Sequence, residues 1–206
     1  LNLGHDITIC DESKKNILYC KEKFKGIKIK KIDEILNDKE IQVVSICTPN
    51  ETHFEIAKQC LEFKKHVFLE KPIATNLDDA NKLEKISNDN KLVLQIGHLY
   101  RFNNSILEAK KIIDNNSFGT VHSVYFSWTN FEPIFTDRGI ILDLGIHPVD
   151  IIDYIFGGSS QKIKCRGWGI RQNNPEFAII NYQLMTSKKE LIFVNIELSW
   201  LNPIKK

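Results

Sequence analysis

A lysine that directly follows a short apolar run is the first feature of this sequence that could take part in chemistry. Residues 67–69 are apolar in the manner of a buried strand, and Glu70, Lys71 and Pro72 follow them at once. In open α/β sheets, ligands bind beyond the carboxyl ends of the parallel strands, so a lysine at this position would point into a cleft. Pro72 lacks a backbone donor and restricts φ, which ends the strand. A solvated surface lysine remains the alternative interpretation of this stretch alone, because most lysines are exposed.

An aspartate and a histidine further along the chain form the second candidate pair. Asp143 and His147 would share one face of a continuous helix, so the carboxylate could orient and charge-tune the imidazole. Pro148 cannot donate to the preceding turn and clashes with it, so the helix must begin near His147 or be kinked there. A helix-start acid beside a buried, hydrogen-bonded histidine is the alternative. A metal pair completed by His53 or His98 has no recognisable ligand spacing, and we predict no metal.

Polar residues also follow two other apolar runs in the first half of the chain. Asp11 ends one run, where an acid in a dinucleotide-binding sheet bonds the ribose hydroxyls and favours NAD over NADP. Thr48, Pro49 and Asn50, with His53 close behind, follow the next central run and would face a cofactor in such a sheet. Both stretches are equally compatible with ordinary turns and helix starts, so that interpretation stays open.

Cations that could bind a substrate lie near the presumed cleft. Tyr100 and Arg101 follow the last strand of the first half, and Arg138 precedes the aspartate–histidine pair. Each arginine is more often a surface ion-pair residue than a substrate clamp. Trp128 and the other tryptophans lie in predicted strands of the second half, where packing on a sheet face is the simpler role.

The bulk composition argues against several classes of protein. The 206 residues are 42% hydrophobic and 26% charged, which is typical of a globular protein with a sizeable core. The net charge is only +2 with both signs interspersed, which argues against a nucleic-acid partner. The longest apolar-looking stretch, 139–158, carries several acids, which argues against a membrane span.

The start lacks the basic end and apolar block of a leader, and the cysteines form no Cys-x-x-Cys pair. We therefore expect a cytoplasmic protein, with Cys10 and Cys47 as small core residues.

The elements that must position these residues alternate between strand and helix in the first half. Short connections between them predict a parallel sheet covered on both faces. The predicted strands are 6–11, 27–29, 43–47, 67–69 and 92–96, and the predicted helices are 13–24, 32–36, 52–63 and 76–88.

The second half has a different character. A helix over 106–113 is followed by a long alternating strand over 121–128, and further strands are predicted over 162–169, 177–185 and 190–200. The turn at 186–189 predicts an antiparallel hairpin. The fold class is therefore α/β, with a doubly wound parallel sheet in residues 1–98. An α+β domain with a mainly antiparallel, open-faced sheet follows in residues 99–206.

One expected motif is absent from the sequence. A doubly wound dinucleotide-binding sheet has a central first strand whose Gly-rich turn cradles the pyrophosphate, and no Gly-x-Gly-x-x-Gly occurs in these 206 residues. The chain is expected to begin just before the second strand, with residues 1–4 as the end of a first helix. Without the first strand we expect a sheet in two halves with a gap, and either a longer gene product or another element would fill it.

Together these stretches resemble the Gfo/Idh/MocA oxidoreductases, the family of glucose–fructose oxidoreductase and inositol dehydrogenase. The resemblance covers residues 1 to about 158 and departs from the family in lacking the Gly-rich first unit and the C-terminal end of the open-faced sheet. The matching stretches are Asp11 at a strand end, Thr48-Pro49-Asn50-Glu51-Thr52-His53, Glu70-Lys71-Pro72, Gly97-His98-Leu99-Tyr100-Arg101-Phe102-Asn103 and Asp143-Leu144-Gly145-Ile146-His147-Pro148-Val149-Asp150.

The resemblance implies NAD(P)-dependent oxidation of a sugar, polyol or nucleotide-sugar CH–OH group, or the reverse reduction. By family position, Lys71 bonds the reacting oxygen, Asp143 supports His147, and His147 takes the hydroxyl proton. Glu70 belongs to the cofactor side in this scheme, and the cofactor is NAD rather than NADP.

The same resemblance implies that Lys71 and His147 meet over one pocket. In its Gly-His-x-x-Arg-Phe-Asn form, with the Asp-x-Gly-Ile-His stretch, the chain resembles the family's nucleotide-sugar 3-dehydrogenase branch. An uncovered sheet face would favour a homodimer or homotetramer. The alternative hypothesis is a non-catalytic relative whose β domain serves as an oligomerisation or scaffolding surface.

Overall fold

The computed structural model describes residues 4–135 and 138–202. The predicted end of a first helix at residues 1–4 therefore lies almost wholly outside the described residues. Contacts divide the chain into two compact units, Leu1–Ile96 and Gly97–Lys206. The sequence prediction had put this boundary at residue 98.

Strands and helices alternate through the first unit as predicted. Every strand pairing here is parallel, with β1 beside β2 and a second sheet in the order β3-β4-β5. The elements are β1 Thr8–Ile9, α1 Lys14–Lys23, β2 Lys28–Ile29, α2 Ile32–Asn37, β3 Val43–Ile46, a 3₁₀ turn Asn50–Thr52, α3 His53–Glu62, β4 His66–Leu69, α4 Leu77–Asp89 and β5 Leu94–Ile96. Asn76 caps α4 through a bond from the Asp79 amide.

The predicted gap separates the two parallel sheets of this unit. Among the described residues, no strand joins the β1–β2 pair to the β3–β4–β5 sheet. The apolar core lies where α3 and α4 cover one face of the larger sheet, and it includes Ile46, Leu61, Val67, Leu69 and Leu83. The fold is therefore the Rossmann-like arrangement expected from the sequence, in two halves.

The opposite face of the larger sheet is open to solvent. The sequence predicted a sheet covered on both faces, and this prediction is wrong for the larger sheet. Val43, the first residue of β3, is 60% exposed, and Val93, just before β5, is 58% exposed. Cys10 and Cys47 were predicted as core residues and are exposed. Each lies one residue beyond the end of its strand, β1 or β3. The buried cysteine is Cys60, inside α3.

The second unit packs helices on one face of a mixed sheet in the order β6-β9-β8-β7. The β6–β9 pair is parallel, and the other pairs are antiparallel, including the predicted β8–β9 hairpin. The elements are a 3₁₀ turn Leu99–Phe102, α5 Asn104–Asp114, β6 Ser123–Thr129, a π-helical turn Ile141–Gly145, α6 Ile146–Phe156, β7 Ser159–Trp168, β8 Phe177–Met185 and β9 Leu191–Ser199. Within the described ranges, no helix combines the length and apolar character that crossing a membrane requires.

The two faces of this sheet differ in burial. Alternate residues such as Ile180, Ile196 and Leu198 are buried in one core with Ile152 of α6. Their strand neighbours point the other way, and Phe193 is 55% exposed on that side. The open-faced sheet predicted from the sequence is therefore confirmed.

The helix that carries His147 begins where Pro148 requires. The prolyl nitrogen cannot donate a hydrogen bond, so an α-helical register cannot continue through it from the preceding turn. The chain forms a π-helical turn up to Gly145, and α6 starts at Ile146. An added Cβ on Gly145 would lie 3.0 Å from Leu198 Cδ1, so a glycine lets this turn approach β9 closely.

We expect Gly158→Ala to lower the free energy of unfolding by about 3 kcal/mol, because Gly158 closes the turn after α6 in a backbone conformation that strains an alanine. Its φ is +106°, and an added Cβ would lie 2.0 Å from the Met185 carbonyl oxygen. Urea unfolding measures the loss. Gly119→Ala is the matched control, since Gly119 has φ +76° but no atom within 4 Å of the added Cβ. Equal losses in the two variants would contradict the steric argument.

Candidate functional site

Lys71 lies at the carboxyl end of the central strand of the larger parallel sheet. β4 ends at buried Leu69, and the Glu70 amide still bonds the Ile46 carbonyl of β3 at 3.0 Å. The Glu70 carboxylate accepts a hydrogen bond from the Lys71 amide at 3.3 Å. The peptide bond between Lys71 and Pro72 is cis. The lysine is half-buried. The structure therefore brings Lys71 to the sheet edge at which open α/β folds bind ligands.

The Thr48-Pro49-Asn50 loop occupies the same edge, because β3 is the neighbour of β4. Thr52 Oγ1 lies 2.7 Å from Thr48 Oγ1 and 2.8 Å from the Pro49 carbonyl oxygen, which closes the loop on itself. Asn50 begins the 3₁₀ turn that leads into α3. The exposed residue Thr48 and the half-buried residue Asn50 therefore lie beside the lysine loop.

His53 occupies a different environment from the one its predicted cofactor role requires. The residue is fully buried. Its Nδ1 lies 2.7 Å from the Pro72 carbonyl oxygen, and its Nε2 lies 2.9 Å from the Thr48 carbonyl oxygen. The ring therefore connects the two loops from behind and presents no surface to a cofactor.

Asp11 presents an ionised carboxylate just after β1. Its Oδ2 accepts a bond from Asn16 Nδ2 at 2.9 Å, and its Oδ1 accepts one from the Ser13 amide at 2.7 Å. These bonds, that from Asn16 first, hold the pKa of the Asp11 carboxyl below its usual value. A carboxylate has about four lone-pair sites, so it can still accept bonds from a ligand's hydroxyls.

The residues of the first unit fit one part of a dinucleotide. The Asp11 carboxylate suits ribose hydroxyls, and the polar loops before α3 and α4 lie at the carboxyl edge where such a ligand binds. A Gly-rich turn for the pyrophosphate is not among the 206 residues. These residues would therefore hold NAD at the ribose and at the reacting end.

His147 lies in the first turn of α6 and is held by two aromatic rings. Its ring stacks on Trp128 at a centroid distance of 5.2 Å and meets Tyr100 edge-to-face at 5.0 Å. Tyr100 and Trp128 also meet edge-to-face at 5.0 Å. We call Tyr100 and Trp128 the aromatic cage. Because His147 is only 8% exposed, its ring has little freedom to turn.

Asp143 lies in the π-helical turn that leads into α6. Its amide donates to the Gly139 carbonyl at 3.2 Å. Short π-helical segments are frequent at functional sites, since they change which side chains share a helix face. The structure thus places both members of the predicted pair in one continuous helical run, on either side of the change in register.

Arg101 is engaged in an ion pair with α6. Its Nε and Nη2 donate to Asp150 Oδ1 at 2.8 Å and 2.6 Å, and Nη2 lies 3.4 Å from Asp153 Oδ2. Asp150 is buried, and its carboxylate raises the pKa of the Arg101 guanidinium. This pair joins the 3₁₀ turn that carries Tyr100 to the helix that carries His147. The geometry favours a positioning role for Arg101, and its predicted contact with substrate stays a prediction.

Arg138 lies over the ring of Phe135 at 4.4 Å, a cation–π distance. Its predicted role in substrate binding likewise stays a prediction. In the part of the chain that the structure describes, no group of three or more His, Cys, Asp and Glu side chains could hold a metal ion.

Sequence reasoning missed the role of Trp128. It was assigned to packing on a sheet face, and it does lie on the face that α6 covers, but its ring is the platform under His147. The sequence does indicate that Trp128 faces the core. It alternates with Val124 and Phe126 along β6, and these three side chains lie on the same face of the strand.

We expect acid to destabilise the second unit partly through His98. Burial lowers the pKa of His98 below the ordinary 6.5, against the opposing effect of Asp150, whose Oδ1 is 3.4 Å from Nδ1. The unfolded chain therefore takes up this proton more readily, so stability is full above pH 6.5 and falls as the pH drops towards the folded pKa. Urea unfolding at several pH values should show a shallower loss in His98→Gln than in the parent. The same substitution at exposed His122 is the control, and an equally shallow loss there would contradict the assignment.

Comparison with known families matches nearly the whole chain. Residues 5–98 match a model described as an oxidoreductase family with an NAD-binding Rossmann fold. Residues 106–205 match the GFO/IDH/MocA C-terminal domain.

Curated relatives share about three residues in ten with this chain. An uncharacterised oxidoreductase of Bacillus subtilis, YrbE, is 30% identical over 150 residues, which is 70% of this chain and 43% of the relative. The myo-inositol 2-dehydrogenase of Thermotoga maritima is 29% identical over 139 residues, 65% of this chain and 42% of the relative. This chain therefore spans less than half the length of these relatives.

A solved structure shows the same fold at lower identity. GenD2 from gentamicin A biosynthesis, in complex with NAD, superposes with a TM-score of 0.85 at 19% identity. The match covers 96% of this chain and 59% of GenD2.

Proposed function

Because this chain belongs to the Gfo/Idh/MocA family of oxidoreductases, we propose that it forms part of an NAD-dependent dehydrogenase acting on a CH–OH group of a polyol or sugar. The observation that carries the proposal is the position of Lys71 at the carboxyl edge of a parallel sheet, beside a second polar loop. A lysine at that edge lies where open α/β sheets bind their ligands. The immobilised ring of His147 supplies the matching base.

In the proposed oxidation, each residue acts on the reacting hydroxyl. His147 accepts the hydroxyl proton on a ring nitrogen while the C=O bond forms, as a general base that works near neutral pH. Lys71 donates a hydrogen bond to the same oxygen and stabilises its developing negative charge. Bound NAD supplies the acceptor for the hydride that leaves the carbinol carbon.

The other residues of the site have supporting roles in this proposal. Asp143 orients His147, and the aromatic cage limits the rotation of its ring. Asp11 accepts hydrogen bonds from the ribose hydroxyls. Its negative charge repels the additional phosphate of NADP, so NAD is favoured. Thr48, Pro49, Asn50 and Glu70 line the cofactor side.

Two observations bear on the substrate class. The myo-inositol activity in the name of the Thermotoga relative favours a cyclic polyol. The resemblance of Gly-His-x-x-Arg-Phe-Asn to the nucleotide-sugar 3-dehydrogenase branch favours a nucleotide sugar instead. Both are compatible with one reaction at a secondary alcohol.

The experiment uses the protein produced from its complete gene. NADH formation is followed by absorbance with inositols, free sugars and nucleotide sugars, and the same panel is repeated with NADP. Turnover with NAD on at least one of these classes is the expected result. Absence of turnover, together with absence of NAD binding in calorimetry, would overturn the proposal in favour of the scaffolding alternative.

We also infer that the open face of the second unit's sheet pairs with a second copy of the chain. Tyr125, Leu191 and Phe193 are exposed together on neighbouring strands β6 and β9. Exposed apolar side chains grouped on one sheet face mark association surfaces. Sedimentation velocity should show a dimer or tetramer that Phe193→Lys shifts towards monomer, whereas exposed Phe118→Lys leaves it unchanged. A monomeric parent protein would contradict this inference.

A further inference from the structure

The buried ring of His53 contacts both loops at the carboxyl edge of the sheet. It lies in the first turn of α3, with no exposed surface. Nδ1 is 2.7 Å from the carbonyl oxygen of Pro72, and Nε2 is 2.9 Å from the carbonyl oxygen of Thr48. One of these carbonyls belongs to the residue after Lys71, and the other opens the Thr48-Pro49-Asn50 loop.

Both partners of the ring can only accept hydrogen bonds. A neutral imidazole carries one N–H and one lone pair, so it can bond one of the two carbonyls and must direct its lone pair at the other. An imidazolium donates to both, and charge-assisted bonds of this kind are short and strong. Burial opposes the charge, but the neutral ring would leave two acceptors facing each other at hydrogen-bonding distance. Both contacts are hydrogen bonds at once only when each ring nitrogen carries a proton.

We propose that His53 is a positioning residue that sets the place of Lys71 by bonding both loops at once. The inference deepens the proposed function and rests on the role given there to Lys71. The bond to Pro72 holds the backbone immediately after Lys71, and the bond to Thr48 ties that backbone to the neighbouring loop. Thr52 closes the Thr48 loop on itself, so the ring bonds a loop that is already well defined.

The consequence for catalysis follows from geometry. Lys71 can stabilise charge on the reacting oxygen only if its ammonium lies within hydrogen-bond distance. A displacement of about 1 Å caused by a change away from the reacting atoms can cost about 100-fold in rate. Loss of the His53 bonds should therefore lower kcat, while the affinity for NAD changes little.

The first test examines the ring in the unaltered protein. ¹⁵N-labelled histidine NMR at neutral pH reports how many nitrogens of His53 carry a proton, and His53→Gln assigns the signals. Two N–H signals support the proposal. A ring with one N–H bonds only one loop, and this result would overturn it.

The second test separates positioning from stability. In the protein from the complete gene, His53→Gln keeps a buried amide and should lower kcat about 10- to 100-fold, with less than about a threefold change in the dissociation constant of NAD. His53→Leu removes both bonds and should lower kcat at least as far. If the His53→Leu variant does not fold, the kcat of the His53→Gln variant and the NMR signals still test the positioning role of His53.

Ser87→Ala is the matched control. Ser87 is also buried and also donates to a carbonyl, that of Glu84 in α4, but it contacts neither loop. Its kcat should match the parent. If Lys71→Met abolishes turnover while His53→Gln leaves kcat unchanged, the positioning role is wrong and the proposed function stands. If Lys71→Met itself leaves turnover unchanged, the proposed function fails first.

Discussion

Lys71→Met is expected to lower kcat by about 10²- to 10³-fold, because it removes the donor that stabilises developing charge on the reacting oxygen. Methionine keeps the length and apolar stem of lysine, so the half-buried side chain still fills its place. Steady-state kinetics with the substrate identified by the panel gives kcat, and calorimetry gives the affinity for NAD. The affinity should change little, because the effect is confined to the reacting end.

Lys82→Met is the control for this substitution. Lys82 is an exposed lysine of the same unit that pairs with Asp79 at 2.9 Å on α4. Its loss should leave kcat unchanged, since exposed pairs contribute at most about 1 kcal/mol even to stability. If both variants retained full turnover, Lys71 would have no role in the reaction.

His147→Gln is expected to lower kcat by about 10²- to 10⁴-fold, the range for loss of a general base. The neutral amide retains polarity but cannot take a proton near pH 7. The pH profile should change as well, because the acidic limb that reports protonation of the base disappears. His122→Gln, at an exposed histidine of the same unit, should retain both the rate and the profile.

The double variant Lys71→Met/His147→Gln tests whether both groups serve one hydroxyl. Residues that act as a unit show strongly non-additive losses. We therefore expect the double variant to be little worse than the poorer single variant. A loss equal to the product of the single losses would indicate independent roles and would contradict the proposed division of labour.

Local sequence pattern was sufficient for the elements and for the position of Lys71. Apolar runs ending on polar residues identified β3 and β4, and parallel pairing brings their ends to one edge. Pro148 also predicted the start of α6 to within a residue, because its missing N–H acts locally.

Features that depend on distant partners were not predictable in the same way. Asp150 binds Arg101 across 49 residues, and Trp128 meets His147 only when α6 packs on β6. The position of His53 shortly after an apolar run suggested a residue that faces a ligand. Its burial depends on how two loops fold around it, which the local sequence does not show. Cys47 lies one residue beyond β3, and a strand-like run alone does not show where the strand ends or whether the next position is covered.

The parallel pairing of β6 with β9 affects how the second unit can be made. Trp128 of β6 lies opposite Leu198 of β9, and β9 is the last strand that the structure describes. During synthesis, the strand that supports His147 must therefore wait for the segment around residue 198 before it gains its neighbour. Pairings between distant segments form slowly, since loop closure comes before the stabilising contacts. A nascent chain stalled before Leu191 would thus contain both His147 and Trp128, but β6 would lack the strand that pairs with it.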